Sequence, residues 1–413
     1  MMRNPVCILP CLIVLLTVFF SPKGFAGDSG GSGYSRYGIG DLSYFLTNRA
    51  VGMGGAGFAV LTNNEIDEMN PAAWARITRT RFSASTLYEG FSTSDNSKSA
   101  YLSQLDFNGV SIAIPVATGS GVVISAGFTP YSRVDYNVIT PIAESDYSYT
   151  VQYVGSGGLS LAYLGSSWTI DNELNIGAKL NYFFGTLNYA TTQSFNTAAY
   201  ANDGIIRSTE LRGIGFSFGA IYTGLRKILQ LPDASTFNLG ALFTTTSYLN
   251  ETDERFYAYN SSGAITGDTV TLPGTKTKIP FSTGGGLSFS NDRFLIAADI
   301  FYQHWSAFQD VNGATIRDDH RYSIGAELTP KRVAYRLGFF YNETYYQLHG
   351  IDINETGITA GLGLPVIGDS RLNFGMEYSW RGTTDNQLQR DKIVRVTITL
   401  TGGETWFIRP EQE

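Results

Sequence analysis

The sequence predicts an all-β fold: a transmembrane antiparallel β-barrel of about fourteen strands, with an N-terminal plug inside its lumen. Charged residues make up only 16% of the chain and aromatic residues 14%, whereas a soluble protein carries roughly 25% charged residues. No stretch beyond residue 26 approaches the ~18 unbroken apolar residues of a spanning helix. Segments beyond residue 80 instead alternate between apolar and polar side chains. A closed barrel is then the structure that satisfies every backbone group in a bilayer.

The first 26 residues have the pattern of a cleaved secretory signal. Arg3 precedes an apolar run over residues 6–20, and Gly24 and Ala26 supply the small residues before a cleavage site. The run is shorter than the ~20 residues that a spanning helix needs. Both cysteines of the chain fall within this segment, so we expect no disulfide in the mature protein. We predict a signal peptide over residues 1–26, a plug or hatch over 27–79 and a barrel over 80–413.

The alternation is regular enough to assign faces to individual strands, because successive strand side chains point in opposite directions. In residues 174–184 one face is apolar and suits lipid, whereas the other suits water. The first face holds Leu174, Ile176, Ala178, Leu180, Tyr182 and Phe184, and the second holds Asn175, Gly177, Lys179, Asn181 and Phe183. Residues 372–381 and 394–400 alternate in the same way. A β-sandwich also alternates, but it rarely maintains about fourteen such strands in one chain.

The connections between predicted strands differ in length in a way that indicates orientation. Residues 117–119, 291–292 and 330–331 are predicted short turns, whereas longer connections follow odd-numbered strands. The long connections are residues 92–102, 191–207, 257–267 and 309–318. Bacterial barrels have short periplasmic turns and long external loops, so the pattern places both chain ends on the periplasmic side. Residues 165–171 and 228–234 are exceptions, being long for periplasmic turns.

Residues 27–79 do not alternate and are rich in glycine and other small residues. A lumen of about fourteen strands is wider than the eight-stranded size that side chains fill, and narrower than a sixteen-stranded porin. Such a barrel would leak unless something filled it. We therefore expect residues 27–79 to form a plug.

One stretch of this predicted plug resembles a known family. The sequence NRAVGMGGAGFAVLTNNEIDEMNPAAWARI, residues 48–77, is similar to the amino-terminal hatch of the FadL family of outer-membrane hydrophobic-compound transporters. Asn70, Pro71 and Ala72 match the Asn-Pro-Ala motif of that family. Residues 35–41, Pro130-Tyr131-Ser132-Arg133 and the closing Trp406-Phe407 are also compatible with it. The chain departs from the usual pattern by continuing beyond Phe407 to Glu413.

The resemblance implies a function and a location. It implies passive uptake of hydrophobic small molecules, such as long-chain fatty acids, across the outer membrane of a Gram-negative bacterium. The ligand would be captured outside, pass to a pocket above the hatch, and leave when the hatch shifts or through a lateral gap in the wall. Asn70, Pro71 and Ala72 are then candidate gating residues. We expect a monomer that contacts outer-membrane lipid and a hydrophobic ligand.

Several large side chains fall on the predicted lumen side, where a water-filled pore would favour polar groups. They are Phe183, Phe301, Trp305 and Phe340. These aromatic residues either contact a ligand or pack against the plug, and the sequence favours neither alternative.

Cations also fall on the lumen side, namely Lys179, Arg336 and Arg395. They could pair with a ligand carboxylate. We favour the alternative of an internal ion-pair network with Asp299, Glu327 and Glu377.

Two motifs resemble catalytic or nucleotide-binding signatures without their context. Gly52, Gly54 and Gly57 satisfy G-x-G-x-x-G, but no βαβ unit surrounds them; we expect close backbone approach instead. Ser217 lies in a G-x-S-x-G stretch that continues a β alternation rather than forming a strand-to-helix turn.

The remaining chemistry is sparse. The three histidines are widely spaced, so we predict no enzyme activity, no metal and no cofactor. The formal charge of −7 argues against nucleic acid. An alternative function is a non-transporting barrel of the same fold that acts as a structural or secretion-associated partner-binding protein.

Overall fold

The computed structural model describes residues 30–404 and 406, with short gaps at 45–46, 145–146, 198, 262–263, 273, 275, 309–314 and 331. The predicted signal peptide and the closing residue Phe407 lie outside the described residues. Within them, no helix is both long and apolar enough to cross a membrane.

Nineteen strand segments form a single sheet in the described part of the chain. They are β1 (Asp41–Leu42), β2 (Thr80–Ser94), β3 (Ser99–Ala117), β4 (Val122–Ala143), β5 (Ser148–Ile170), β6 (Leu174–Phe195), β7 (Asp203–Tyr222), β8 (Thr236–Thr244), β9 (Ser247–Ser261), β10 (Ala264–Leu272), β11 (Lys276–Ile279), β12 (Ser282–Ser290), β13 (Phe294–Gln303), β14 (Thr315–Ile316), β15 (Asp319–Leu328), β16 (Ala334–Leu348), β17 (Ile351–Pro365), β18 (Arg371–Gly382) and β19 (Arg390–Glu404).

The helices are short. The described residues contain two α-helices, α1 (Asn48–Gly52) and α2 (Leu225–Ile228), together with 3₁₀ turns at Gly33–Arg36, Pro71–Arg76, Thr118–Ser120, Trp305–Ala307 and Asp385–Gln387.

The sheet closes into a barrel because β19 pairs with β2 in antiparallel register from Arg390–Ser94 to Glu404–Thr80. Three of the wall strands consist of more than one segment. Segments β8 and β9 both pair with β7, and form one strand. Segments β10, β11 and β12 form the next strand, since β10 and β11 pair with β9 and β12 pairs with β8, while β14 and β15 both pair with β16 and form a third. The wall therefore has 14 antiparallel strands. The predicted fold class and strand number are confirmed.

The two faces of the wall carry opposite chemistry, as β15 illustrates. Arg321, Ser323 and Glu327 are buried on the inside, whereas Ile324 and Leu328 are 51% and 52% exposed on the outside. Large exposed apolar side chains occur at the same outward positions of β6, β7, β13 and β16. A continuous apolar exterior of this kind is the surface that a membrane-spanning barrel presents to lipid.

The N-terminal segment, residues 30–79, lies against the inside of this wall. Its turn Pro71–Arg76 contacts β5, β6 and β7, whereas α1 contacts β16, β17 and β18. Gly54 has a φ of +70°, and a Cβ there would lie 2.5 Å from the Phe339 carbonyl oxygen. Its N–H donates to Thr359 Oγ1 at 2.8 Å. The glycine therefore allows close backbone approach to the wall, as predicted for this G-x-G-x-x-G stretch.

Pairing between β3 and β4 stops halfway along the wall. Among the described residues it extends from Ala117–Val122 only to Val110–Phe128. Gly109, with a φ of +138°, and Pro130, which has no N–H to donate, lie where the two strands separate. We call this unpaired stretch the β3–β4 gap.

The N-terminal segment lines the β3–β4 gap. Asp41 and Leu42 of β1 pair with Arg133 and Ser132 of β4. The Ser43 N–H donates to the Tyr131 carbonyl at 2.9 Å, and the Gly31 N–H donates to the Asp135 carbonyl at 3.1 Å. Backbone hydrogen bonds that β3 does not make are thus supplied from inside the barrel.

Three of the four predicted long loops, residues 92–102, 191–207 and 257–267, are mostly strand where the structure describes them, so this part of the prediction is wrong; most of 309–318 lies outside the described residues. Strand β2 continues to Ser94 and β3 starts at Ser99, while β6 continues to Phe195 and β7 starts at Asp203. Both faces of these strand ends are exposed or half-buried, so apolar and polar residues need not alternate there. The strands nevertheless remain paired by hydrogen bonds. On the opposite side β5 continues to Ile170, which shortens the predicted 165–171 connection, whereas residues 223–235 remain a long connection containing α2.

The outward face gives a direct test with two positions on the same strand. Ile324→Arg places a cation near the middle of β15, and Leu328→Arg places one at its end. We expect Ile324→Arg to lower the unfolding free energy in lipid vesicles by about 2–4 kcal/mol and Leu328→Arg by about 0–1 kcal/mol, because the penalty depends on membrane depth. Equal losses in urea titrations would contradict a lipid-facing middle of β15.

Candidate functional site

The cations predicted on the lumen side are held by acidic side chains. Arg395 lies among three carboxylates: it is 2.8 Å from Glu89, 3.0 Å from Glu355, and also contacts Glu377. Arg336 is 2.7 Å from Glu327 and 3.2 Å from Glu65 of the N-terminal segment. The arrangement is the internal network that the sequence favoured over direct pairing with a ligand.

Two members of the predicted network behave differently. Asp299 accepts hydrogen bonds from the backbone N–H groups of Gly57 and Phe58 at 2.5 and 2.8 Å, so it anchors the N-terminal segment rather than a cation. Lys179 donates to the Glu68 carbonyl oxygen and lies 5.2 Å from the centroid of the Tyr163 ring.

The Asn-Pro-Ala stretch begins the 3₁₀ turn Pro71–Arg76. Asn70 is its N-cap: Oδ1 accepts from the Ala72 N–H at 3.1 Å, while Nδ2 donates to the Phe58 carbonyl at 2.7 Å. A Cβ at Gly219 of β7 would lie 1.9 Å from Asn70 Oδ1. The motif thus fixes a turn tightly against the wall, and a gating role for Asn70, Pro71 and Ala72 stays a prediction.

The predicted lumen aromatics separate into different environments. Phe183 and Phe301 line one cavity of about 130 Å³ between the N-terminal segment and the wall. Phe340 instead packs under the Arg321 guanidinium at 3.8 Å. Trp305 stacks on Tyr345 with a centroid distance of 4.9 Å. The structure therefore brings Phe183 and Phe301 together, but neither of them with Phe340.

The cavity of about 130 Å³ is the candidate site, and we call it the ring cavity. Its apolar lining includes Leu42, Tyr131, Leu161, Phe183, Leu242, Ile279 and Phe301. Tyr131 meets Phe183 edge to face, with centroids 5.0 Å apart at 81°. Phe301 contacts Phe58 of the N-terminal segment at 6.3 Å. The ring cavity is thus walled by both parts of the chain.

Polar side chains also line the ring cavity, and apart from Lys179 and Ser217 the sequence analysis did not single them out. They are Ser43, Tyr44, Glu68, Thr129, Lys179, Asn181, Ser217, Thr244, Ser282 and Gln303. The alternation places Lys179, Asn181 and Ser217 on the lumen side, but it cannot show which lumen residues meet at one depth.

The ionisable pair in the ring cavity is Lys179 and Glu68. Burial raises the pKa of the Glu68 carboxyl to about 7, with a smaller contribution from the neighbouring Asp67, whereas the Ser111 hydrogen bond and Lys179 oppose this shift. Burial likewise raises the pKa of Asp67 to about 6. Lys179 therefore faces two carboxyl groups of the N-terminal segment.

Two further cavities are lined by charged as well as apolar side chains. One of about 90 Å³ lies behind the β3–β4 gap and is lined by Glu89, Arg133, Arg381 and Arg395 among others. The other, of about 790 Å³, is at the end of the barrel with the 171–173 and 291–293 turns, and Arg76 and Arg226 lie on its rim.

Ser217 and His304, the candidate hydrolytic groups of the sequence, have other partners in the described structure. Ser217 contacts Asn181 at 2.7 Å and Thr244 at 2.9 Å. His304 contacts both Asp318 and Ser306 through its Nδ1 atom. A catalytic histidine binds its orienting acid through one ring nitrogen and its nucleophile through the other, so this arrangement cannot activate Ser306. Among the described residues, no group of three His, Cys, Asp or Glu side chains could hold a metal ion.

Solved structures of similar fold include hydrocarbon channels. The CymD monoaromatic hydrocarbon channel has a TM-score of 0.59 and 13% identity, covering 87% of this chain and 98% of that one. The Pseudomonas putida toluene transporter TodX has a TM-score of 0.58 and 16% identity, covering 88% and 98%. A Pseudomonas aeruginosa FadL homologue has a TM-score of 0.60 and 11% identity, covering 87% and 98%. The chain thus has the barrel fold of FadL-type channels, and the resemblance is confirmed at that level.

The sequence profile of the BamG family matches residues 8–412. The chain therefore belongs to the BamG family. No curated protein matches it.

The network around Arg395 predicts a stability effect. Arg395→Met would leave Glu89, Glu355 and Glu377 without their shared partner, so we expect a loss of about 3–5 kcal/mol in unfolding free energy. The exposed pair Arg212–Glu210 is the control, since Arg212→Met should cost less than about 1 kcal/mol. Both are measured by urea unfolding of the purified barrel, and similar losses would contradict the network.

Proposed function

We propose that the protein is an outer-membrane channel for the passive uptake of small hydrophobic molecules. The observation that carries the proposal is the ring cavity, an aromatic and aliphatic pocket between the N-terminal segment and the wall of a barrel that also holds buried ion pairs. Ligand pockets are commonly concave and mostly apolar with few polar groups. The fold shared with the hydrocarbon channels agrees with uptake of hydrophobic molecules, but the proposal is carried by the cavity because a fold alone does not assign a function.

The volume of the ring cavity limits the size of the ligand. An apolar cavity of about 150 Å³ holds benzene, so about 130 Å³ suits a molecule of one ring. A long-chain fatty acid would need additional space. We therefore propose small ring compounds rather than the long-chain fatty acids that the family resemblance implied.

The β3–β4 gap supplies a route between the ring cavity and the membrane. Thr129, Pro130 and Tyr131 of β4 line the ring cavity and lie where pairing with β3 has ended. Leu42 to Tyr44 of the N-terminal segment lie between the ring cavity and the gap. In this proposal the segment acts as the plug, and its displacement from β4 opens the route.

A reversible cross-link tests the proposal. Leu42 and Ser132 are opposite each other in the β1–β4 pairing, which places their Cα atoms ~4.5–5.5 Å apart, within disulfide range. In a deletion strain, the Leu42→Cys/Ser132→Cys protein should take up radiolabelled toluene and phenol when reduced. Oxidation should lower uptake at least about tenfold, because the plug can no longer leave β4.

The two single-cysteine variants, oxidised in the same way, control for the reagent and should transport normally. Equal uptake by oxidised and reduced double variants would contradict the proposed route. If no compound entered faster than in the deletion strain, transport itself would be contradicted, and the partner-binding alternative would become the better account.

A further inference from the structure

The ring of Phe58, in the N-terminal segment, fills a recess in the barrel wall next to the ring cavity. Phe58 is 1% exposed. A Cβ at Gly284 of β12 would lie 2.7 Å from its Cε2 atom, and one at Gly286 would lie 3.1 Å from its Cβ atom. A Cβ at Gly240 of β8 would lie 2.3 Å from its carbonyl oxygen. The recess exists because these three wall residues have no side chain, and we call it the glycine recess.

The backbone does not require glycine at Gly240, Gly284 or Gly286. None of the three has a positive φ, so their strand conformation is open to any residue. A glycine inside a strand weakens the strand, and it often marks a site where another group approaches closely. The three glycines therefore leave space, and the group that occupies this space is an aromatic ring.

The strand register places the glycine recess beside the ring cavity. Gly284 is opposite Leu242 of β8 on one side and Phe301 of β13 on the other. The Leu242 and Phe301 side chains both line the ring cavity. The Phe58 ring lies against the glycine between them, with its centroid 6.3 Å from that of Phe301. A ligand that packs on Leu242 and Phe301 would therefore meet the Phe58 ring at this end of the cavity.

Backbone groups hold Phe58 and the residue after it against the wall. The Phe58 N–H donates to Asp299 Oδ2 at 2.8 Å, and the Phe58 carbonyl accepts from Asn70 Nδ2 at 2.7 Å. The carbonyl of Ala59 accepts from Ser288 Oγ at 2.7 Å. None of these bonds involves the Phe58 side chain. The backbone of the segment can therefore stay in place when the ring is removed.

We propose that Phe58 is the residue that limits the ligand to one ring. In this proposal the glycine recess is a second ring-sized compartment, continuous with the ring cavity and occupied by the phenyl group of the protein itself. The inference rests on the proposed function and deepens it, because it assigns the size selectivity of the ring cavity to one side chain. Without that phenyl group, the space of about 130 Å³ would grow by roughly the space that one benzene molecule takes, and two fused rings would fit.

Phenol and 2-naphthol form a matched pair of probes, because they carry the same hydroxyl group on one ring and on two fused rings. Their binding to the purified full-length barrel is measured by calorimetry, and the heat of titrating detergent micelles alone is subtracted. Phe58→Ala empties the glycine recess, and Phe58→Leu empties part of it. In the double variant Phe58→Ala/Gly284→Leu a wall side chain refills the recess, because a Cβ at Gly284 points at the position of the Phe58 ring.

Phe91→Ala is the matched control. Phe91 is also a buried phenylalanine, 2% exposed, but it lines the cavity behind the β3–β4 gap and not the ring cavity. That cavity is also lined by charged side chains such as Glu89 and Arg133, which do not favour a second apolar ring. The variant removes the same group as Phe58→Ala, so it controls for a general loosening of the barrel.

We expect Phe58→Ala to raise the ratio of 2-naphthol to phenol affinity at least about tenfold, because the second ring can be buried only when the recess is empty. Phe58→Leu should raise this ratio by a smaller factor. Phe91→Ala should leave it unchanged, and Phe58→Ala/Gly284→Leu should return it close to the wild-type value. Heat-modified electrophoretic mobility checks that each variant is folded, and Phe58→Leu carries the test if Phe58→Ala does not fold.

Three results would overturn the inference while leaving hydrophobic uptake intact: a ratio that no folded Phe58 variant changes, an equal rise in Phe91→Ala, or a rise that persists in the folded double variant. Absence of binding by both probes to the wild-type barrel, together with absence of uptake by the reduced cross-link variant, would instead overturn the proposed function on which the inference rests.

Discussion

The rest of the structure depends on one constraint: the ionised groups on the inner wall must be paired inside a space from which much of the water is excluded. The N-terminal segment supplies several of the partners. Glu65 pairs with Arg336, and Asp41 pairs with Arg381 at 2.8 Å. Conversely, the wall residue Asp299 accepts from two backbone N–H groups of the segment. Removing one member of such a pair leaves a buried charge, which costs far more than the pair itself contributes.

This constraint also explains where a ligand can bind. Ion-paired side chains such as Glu89 and Arg395 line part of the cavity behind the β3–β4 gap, whereas the aromatic side chains Phe183, Phe301 and Tyr131 line the ring cavity. The segment that covers the ring cavity, residues 42–44, bonds the β4 backbone and is also held by Tyr44, whose hydroxyl donates to Asp319 and whose ring contacts Phe301. Displacing these residues would not by itself separate the Arg336–Glu65 pair. The proposed function requires residues 42–44 to move while the Arg336–Glu65 pair stays in place.

Much of the barrel could be predicted from the sequence because lipid and lumen impose opposite demands on alternate residues. That alternation placed Lys179 and Phe183 inside and Leu180 outside. It failed at residues 191–195 and 203–207, where strands continue beyond the apolar belt and water meets both faces. The candidate site was only partly predictable. Phe183 and Phe301 were recognised as lumen residues, but their meeting with Thr129 and Asn181 depends on strand register and on the path of the N-terminal segment, which no periodicity encodes.

Membership of the BamG family and the FadL-type fold describe the scaffold. The proposed uptake function depends on which molecule the ring cavity binds. The most direct measurement is mass spectrometry of small molecules extracted from the folded barrel after purification from outer membranes. The account predicts a one-ring compound in roughly stoichiometric amount, lost when Ile279→Trp fills the ring cavity. A stoichiometric protein partner with no small molecule in the wild-type barrel would contradict it.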